Sequence, residues 1–409
     1  MNNAQFIIHH AHYFPLVGDL RFKPQSSKFK PQSSNLKVQT SKFKPQSSKF
    51  KVQSSMFKVK NILLLLCMFS ITTHAENGSV VKAPSAASRK TVVTAAGATL
   101  PLPFYNKAFE LYWEKNDVPV TYAGIGSERG LKALQRRQID FAGVDVLPTK
   151  AERDSLPGKV LALPTCMGAV TVAYNLKGTD NLRLTGELLA DIFMGKIVKW
   201  NDARIAAVNP KLSLPDREIT PVFRLDGSGT TYVFSQYLSK VSDAWKNAMG
   251  VGKKIGCKVG VAANGNTGVA GLVERIPGSI GYVATEYTTA FDTQRAWLRN
   301  AAGTFVLPTQ ESIMAAAEQE GNATDITNAT AAGAYPISCY TWVLVYQEQS
   351  YALRSYHEAQ ETVSVLRWLL SPEAQELTTR LLYSPLPTRT AAAAARLLDS
   401  MTYEGKKMK

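Results

Sequence analysis

From residue 92 onward, short apolar runs alternate with stretches whose apolar positions recur at helical spacing. The runs predict strands at Val92–Thr94, Val118–Ala123, Phe141–Val144, Val160–Leu163, Ala169–Tyr174, Ile219–Arg224, Gly281–Thr285 and Thr341–Tyr346. Between and after them, helices are predicted at Pro101–Asn116, Glu128–Arg137, Gly186–Met194, Thr231–Val241, Gly268–Arg275, Thr362–Leu370, Ala374–Leu382 and Ala391–Met401. In the first helix, proline opens the first turn, and Phe104, Ala108, Leu111 and Tyr112 share one face. Strands alternating with helices imply α/β layers around a mostly parallel sheet. Ligands of such sheets lie beyond the carboxyl ends of the strands.

The first 75 residues follow other rules. Residues 22–60 repeat with a period of seven, from Phe22-Lys-Pro-Gln-Ser-Ser-Lys to Phe57-Lys-Val-Lys. One apolar position per unit and recurring proline forbid a coiled-coil seam, and the composition favours disorder. Then come the basic stretch Met56–Lys60, an apolar run Ile62–Ile71 of about ten residues, and Thr73-His74-Ala75. This reads as a signal peptide at 56–75, too short to span a bilayer. Met56 is then the expected start, with residues 1–55 an upstream low-complexity segment, and the mature chain begins near Glu76. Cys67 follows Leu66, which argues against a lipoprotein cleavage site.

The net charge of +15 is concentrated in that leader: residues 1–60 hold eleven Lys/Arg and one acid. From Glu76 onward, 36 basic residues face 31 acidic ones, which gives no footing for nucleic-acid or membrane binding. At 409 residues there is enough chain for two or three domains. His9, His10, His12 and His74 precede residue 76, leaving only His357 in the folded part. One imidazole does not make a zinc hydrolase, and no cysteine pair has metal-ligand spacing, so no metal site is expected. Export would place Cys166, Cys257 and Cys339 in an oxidising compartment, an odd number that leaves at least one thiol unpaired. The sequons at Asn77, Asn322 and Asn328 carry little weight if the host is bacterial.

Three predicted strands end in small residues that run into a helix start: Ala95–Leu100, Gly124–Ser127 and Arg224–Thr230. Helix starts offer unpaired N–H groups and a partial positive charge, and so attract anions. Each segment also carries a hydroxyl: Thr99, Ser127, and Ser228 with Thr230. Gly124-Ile-Gly126-Ser-Glu-Arg-Gly130 resembles a dinucleotide fingerprint, with Asp145 downstream, but Arg129 occupies the third glycine position. A turn into a helix, or a small-anion nest at Ser127, fits better. Arg224 offers a planar fork for two oxygens, and Asp226 can hold it from the same side of the strand. Gly227 and Gly229 allow close backbone approach. No Walker loop is present. Asp145 would repel a fully ionised oxyanion and serves only one that carries a proton, which admits phosphate or arsenate and rejects sulfate. Its alternative is a turn or capping residue.

From about Val92 to Gly405 the chain resembles the phosphate-binding proteins of bacterial phosphate ABC importers. The resemblance rests on Ala96-Gly-Ala-Thr-Leu-Pro, Tyr122-Ala-Gly-Ile-Gly-Ser, Asp140-Phe-Ala-Gly-Val-Asp, Leu189-Ala-Asp-Ile-Phe-Met-Gly-Lys-Ile-Val-Lys-Trp-Asn-Asp and Arg224-Leu-Asp-Gly-Ser-Gly-Thr-Thr. Tyr237-Leu-Ser-Lys-Val-Ser and Pro277-Gly-Ser-Ile-Gly-Tyr-Val extend it. It implies an α/β, two-lobed periplasmic-binding-protein fold of type II, two domains joined by two hinge crossings. The lobes would be 91–166 plus 337–409, and 167–336. Thr99, Leu100, Ser127 and Asp145 of the first lobe, and Arg224, Ser228, Gly229 and Thr230 of the second, would bind phosphate, with Asp226 holding the arginine. Two departures stand out. Leu100 replaces a common Phe, where the contact is a backbone N–H, and Glu128-Arg129 replaces small residues. Cys166 and Cys339 flank the implied crossings, so a disulfide tethering the hinge is one expectation.

The same resemblance implies a periplasmic, monomeric, non-enzymatic carrier without a cofactor. It would hand inorganic phosphate to membrane permease subunits driven by a cytoplasmic ATPase. The rival readings are a secreted phosphatase and a surface adhesin or receptor that reuses the fold. A phosphatase would need a nucleophile with a base or metals.

Overall fold

The computed structural model describes residues 91–320 and 324–408. The repeat and signal-peptide expectations lie outside these residues. The elements run β1 (Val93–Gly97), α1 (Leu102–Asn116), β2 (Val120–Gly124), α2 (Ser127–Gln135), β3 (Phe141–Val144) and α3 (Lys150–Asp154). Next come β4 (Val160–Tyr174), β5 (Arg183–Leu184), α4 (Gly186–Phe193), α5 (Ala203–Val208), β6 (Thr220–Arg224), α6 (Gly229–Val241) and α7 (Asp243–Ala248). Then follow β7 (Val261–Ala263), α8 (Gly265–Arg275), β8 (Ser279–Ala284), α9 (Thr285–Ala290), β9 (Gln294–Arg295), β10 (Trp297–Arg299), β11 (Phe305–Val306) and α10 (Gln310–Glu320). The chain closes with β12 (Ser338–Tyr346), α11 (Tyr356–Leu369), α12 (Pro372–Arg380), α13 (Thr388–Leu398), β13 (Thr402–Tyr403) and β14 (Lys406–Lys407).

The main sheet has the order β2-β1-β3-β12-β4-β8-β6-β7. Each end is a parallel trio: β1 between β2 and β3, and β6 between β7 and β8. The two strands joining the trios, β12 and β4, are antiparallel to their neighbours. The sheet is therefore less parallel than the alternation of elements implies, because the two joining strands run in opposite directions.

β4 is one strand of 15 residues where two were expected. Pro164 and Gly168 interrupt its apolar pattern and read as a break. In the structure Pro164 faces Trp342 where the β4–β12 register slips between Thr341 and Trp342. An irregularity of this kind tolerates a residue without an N–H, and the strand continues. Val160–Ala169 pair with β12, whereas Val170–Tyr174 pair with β8, so this single strand ties both trios together. All nine residues of β12 are buried, which explains its unbroken apolar run. Helix α1 buries Phe104, Tyr105, Ala108, Phe109 and Tyr112 as one face and ends at Asp117 in the left-handed conformation.

The expected Cys166–Cys339 disulfide is absent, and both are free thiols. The β4–β12 register sets Cys166 opposite Thr341 and Cys339 opposite Gly168. Cys166 Sγ lies 3.2 Å from Thr341 Oγ1 instead. Burial pushes both thiols above their ordinary range.

Parallel strands within each trio bring their carboxyl ends to one place. The segments that follow β1, β2, β3, β6, β7 and β8 all contribute to one buried polar cluster, described next.

Candidate anion-binding site

Thr99 and Leu100 lie between β1 and α1, buried at 5 % and 0 % exposure. Three tyrosines hold three consecutive carbonyls of this turn. Tyr122 Oη donates to Ala98 O (2.8 Å), Tyr287 Oη to Thr99 O (2.8 Å) and Tyr383 Oη to Leu100 O (2.6 Å). Ala98 N donates to Gly143 O on β3. With its carbonyls held, the turn has a fixed peptide orientation, and the Leu100 amide has no acceptor among the described residues.

Ser127 opens α2 and Asp145 follows β3, and both are buried. They converge on the start of α6: a Cβ added at Gly229 would lie 2.7 Å from Ser127 Oγ and 2.6 Å from Asp145 Oδ2. Gly126, at φ +91°, turns the chain into α2 where a Cβ would strike Asp226 Oδ2 at 2.6 Å. Ser127 Oγ and Asp145 Oδ1 are buried without a hydrogen-bond partner. Orphaned buried polar atoms are costly and leave room for a partner such as a ligand or an ordered water. Burial pushes the Asp145 carboxyl up to about 7, against the opposing pull of Arg224 and the Thr230 N–H.

Arg224 ends β6 and is held side-on by Asp226, with Nε to Oδ1 at 2.7 Å and Nη2 to Oδ2 at 2.5 Å. Their side chains are 1 % and 4 % exposed. Burial raises the Asp226 carboxyl, but Arg224 and the Gly265 N–H outweigh that and hold it below the usual range. Two of the five guanidinium N–H groups go to Asp226, and a third points to Thr230 Oγ1 at 3.5 Å. The remainder are free to serve a ligand. Ser228 is the N-cap of α6, its Oγ accepting from Thr231 N at 3.1 Å, so its own hydrogen stays available. Tyr282 fixes the end of β6, accepting from Arg224 N and bonding Thr231 Oγ1.

All nine sequence-predicted residues, from Thr99 to Thr230 with Asp226 included, thus fall in one buried cluster. Sequence reasoning missed others besides Tyr122. Asn266, fully buried in the first turn of α8, donates to Thr99 Oγ1 (2.9 Å) and Thr230 Oγ1 (3.4 Å). Tyr287 and Tyr383 clamp carbonyls from 188 and 283 residues away. Glu286, at the start of α9, is buried with neither oxygen in a hydrogen bond; burial pushes its carboxyl well above the usual range, and the Asp145 charge adds to this. Asn264-Gly265-Asn266 is a fourth strand end that runs into a helix start, but the sequence pattern predicts neither β7 nor the first turn of α8, the expected helix beginning only at Gly268.

Contacts also cross above the cluster. Glu128 N donates to Gly227 O at 3.1 Å. Glu128 pairs with Lys254 at 3.4 Å and Glu152 pairs with Lys253. Glu128 therefore contributes an ion pair beside the cluster, while Arg129 is exposed. A cavity of about 180 Å³ lies beside Asp145, lined also by Tyr232, Gln236, Asp325 and Cys339.

Arg224 is the cation of the cluster, faced by Asp145 and Asp226. Fixed charge alone gives little pull on an anion. Attraction comes from the starts of α2 and α6, the amides of the β1–α1 turn and the hydroxyl hydrogens. Buried donors gathered around Asp145 form a candidate site for a small oxyanion that carries a proton.

The family model described as the PBP superfamily domain matches residues 84–373. The phosphate-binding protein PstS of Haemophilus influenzae is 38 % identical over 309 residues, covering 72 % of this chain and 89 % of that protein. PstS of Xylella fastidiosa is 39 % identical over 313 residues, covering 74 % and 84 %. The crystal structure of a phosphate-binding protein from Stenotrophomonas maltophilia shares the fold at a TM-score of 0.56 and 20 % identity, covering 75 % of this chain and 93 % of that one. The chain belongs to the PstS family of periplasmic-binding-protein-type phosphate-binding proteins.

Proposed function

We propose that this protein captures inorganic phosphate outside the cytoplasmic membrane and delivers it to an ABC importer. The observation that carries the reading is the pair of orphaned buried atoms, Ser127 Oγ and Asp145 Oδ1, set against the start of α6. Ser127 can donate to a phosphate oxygen, and the Asp145 carboxylate can accept the hydrogen of monohydrogen phosphate. Thr99, Leu100 N, Arg224, Ser228, Gly229 N and Thr230 supply the remaining donors. Hydrogen bonds to charged groups are worth about 1.5–3 kcal/mol each, and ordering costs absorb much of the sum. An affinity of about micromolar or tighter, roughly −8 kcal/mol, follows.

The site works by binding alone. Ser228 Oγ accepts from the backbone of α6 and faces no imidazole, and His357 is exposed on α11. Segments 91–166 plus 337–409, and 167–336, act as two lobes hinged through β4 and the start of β12. Thr99, Leu100, Ser127 and Asp145 sit on one lobe; Arg224, Asp226, Ser228, Gly229 and Thr230 sit on the other. Closure then coincides with completion of the donor shell. The carrier is exported through residues 56–75, works as a monomer in the periplasm, and docks on permease subunits coupled to a cytoplasmic ATPase.

Titration calorimetry with phosphate and sulfate tests this. Phosphate should bind at about micromolar or tighter near pH 8, with sulfate on the order of a hundredfold weaker or more. Equal affinity for the two ions, or no phosphate binding, overturns the reading.

A further inference from the structure

Asn266 is buried at 0 % exposure, and its amide has one possible orientation. Its Oδ1 accepts from Ala284 N at 3.0 Å, so the NH₂ end must face Thr99 and Thr230. Thr99 Oγ1 then receives two donors, Asn266 Nδ2 at 2.9 Å and Asn266 N at 3.3 Å. Thr230 Oγ1 also receives two, Asn266 Nδ2 at 3.4 Å and Arg224 Nη1 at 3.5 Å. A hydroxyl has two acceptor lone pairs and one hydrogen. With both lone pairs engaged, each threonine can only donate.

We propose that Asn266 is a specificity-determining positioning residue. By filling the lone pairs of Thr99 and Thr230 it makes both hydroxyls obligate donors, so the ligand oxygens they meet must carry no proton. This rests on the phosphate reading above and deepens it. The one proton of monohydrogen phosphate is steered to Asp145, and dihydrogen phosphate, whose second proton finds no acceptor at Thr99 or Thr230, binds more weakly. Asn266 also joins elements distant in sequence, since Thr99 follows β1, Thr230 opens α6 and Asn266 itself follows β7.

The test is the pH profile of phosphate affinity by calorimetry, from pH 6 to 8, for wild type, Asn266→Ala and Asn266→Asp. Wild type should bind more weakly as the pH falls. In Asn266→Ala the hydroxyls are free to turn and accept, so the affinity at pH 8 drops by about 5- to 30-fold while the slope toward pH 6 flattens. The ionisable groups facing the two hydroxyls, Asp145, Arg224, Asp226, Tyr287 and Glu286 behind it, are retained in both variants. A change of slope therefore reports on the hydroxyls. Asn266→Asp keeps the size of the side chain and an acceptor for Ala284 N, which guards against a variant that fails to fold. It should lose on the order of a hundredfold at pH 8 and bind relatively better at pH 6. The last arm is a cycle with Thr99→Val/Thr230→Val, where Asn266→Ala should add less than about twofold. Parallel pH curves, or an undiminished effect of Asn266→Ala in the valine background, overturn the proposal. Absence of phosphate binding by the wild type sinks the function instead, so the two failures are told apart.

Discussion

A methyl group at Gly229 would lie 2.6 Å from Asp145 Oδ2 and 2.7 Å from Asp145 Cβ. These residues come from the start of α6 and the end of β3, and only a glycine lets them approach this closely. Gly229→Ala should hold the α6 amides away from the position a ligand shares with Asp145. The expected outcome is a loss of phosphate affinity of about a hundredfold or more, since two or more charged hydrogen bonds lengthen together. The melting temperature without phosphate should fall by no more than a few degrees, about 1 kcal/mol. A variant that binds normally would mean that the halves do not meet here.

Arg224 serves two masters, with Asp226 fixing its plane and the outer N–H groups free. Arg224→Ala leaves Asp226 buried without its cation as well as removing ligand donors. Affinity should fall by about 3–5 kcal/mol, and stability should fall too. Arg224→Lys keeps the charge but cannot reproduce the fork, and should recover only part of the affinity. Asp226→Asn should weaken binding by about tenfold through a loosened guanidinium. Calorimetry, with thermal melting as the control for folding, checks all three.

Most of the buried cluster was legible because it is built from a repeated local device: a strand end, small residues, a hydroxyl and a helix start. Thr99, Ser127 and the Arg224–Thr230 segment announce themselves in this way. The supports were not legible, because Tyr287 and Tyr383 reach Thr99 and Leu100 through tertiary packing that leaves no local trace. The same holds for the fold. Phe141–Val144 was predicted at its observed limits. β4 was split because Pro164 is a strand breaker unless an irregular pairing partner removes the need for its N–H. The disulfide expectation failed because proximity to a hinge does not set ladder register, and Cys166 pairs with Thr341.

The two ion pairs beside the cluster, Lys253–Glu152 and Lys254–Glu128, should act on release. Lys253 and Glu152 are 16 % and 30 % exposed, and Lys254 and Glu128 are 61 % and 27 %. Pairs this accessible are worth about 0.2–1 kcal/mol each. Lys253→Met and Lys254→Met should each speed phosphate dissociation by about two- to fivefold, with association little changed. In stopped-flow measurements the double variant should also lose most of the salt dependence of dissociation. An unchanged rate in both variants would show that the pairs do not hold the closed form.

The buried carboxyl of Asp145, pushed up to about 7, should make selectivity a function of pH. Above that value the group is a carboxylate, which would accept the hydrogen of monohydrogen phosphate and repel sulfate, which has none to give. Below it the group is a neutral acid and can donate to a sulfate oxygen. The phosphate-to-sulfate affinity ratio should therefore rise as pH increases through about 7 and shrink on acidification. Asp145→Asn carries a permanent donor in place of the carboxylate. Its ratio should be low, reduced on the order of a hundredfold at pH 8, and flat between pH 6 and 8. Competition calorimetry across that range measures both curves. A wild-type ratio that does not move with pH, or an Asn variant that still excludes sulfate, would assign the discrimination to some group other than Asp145.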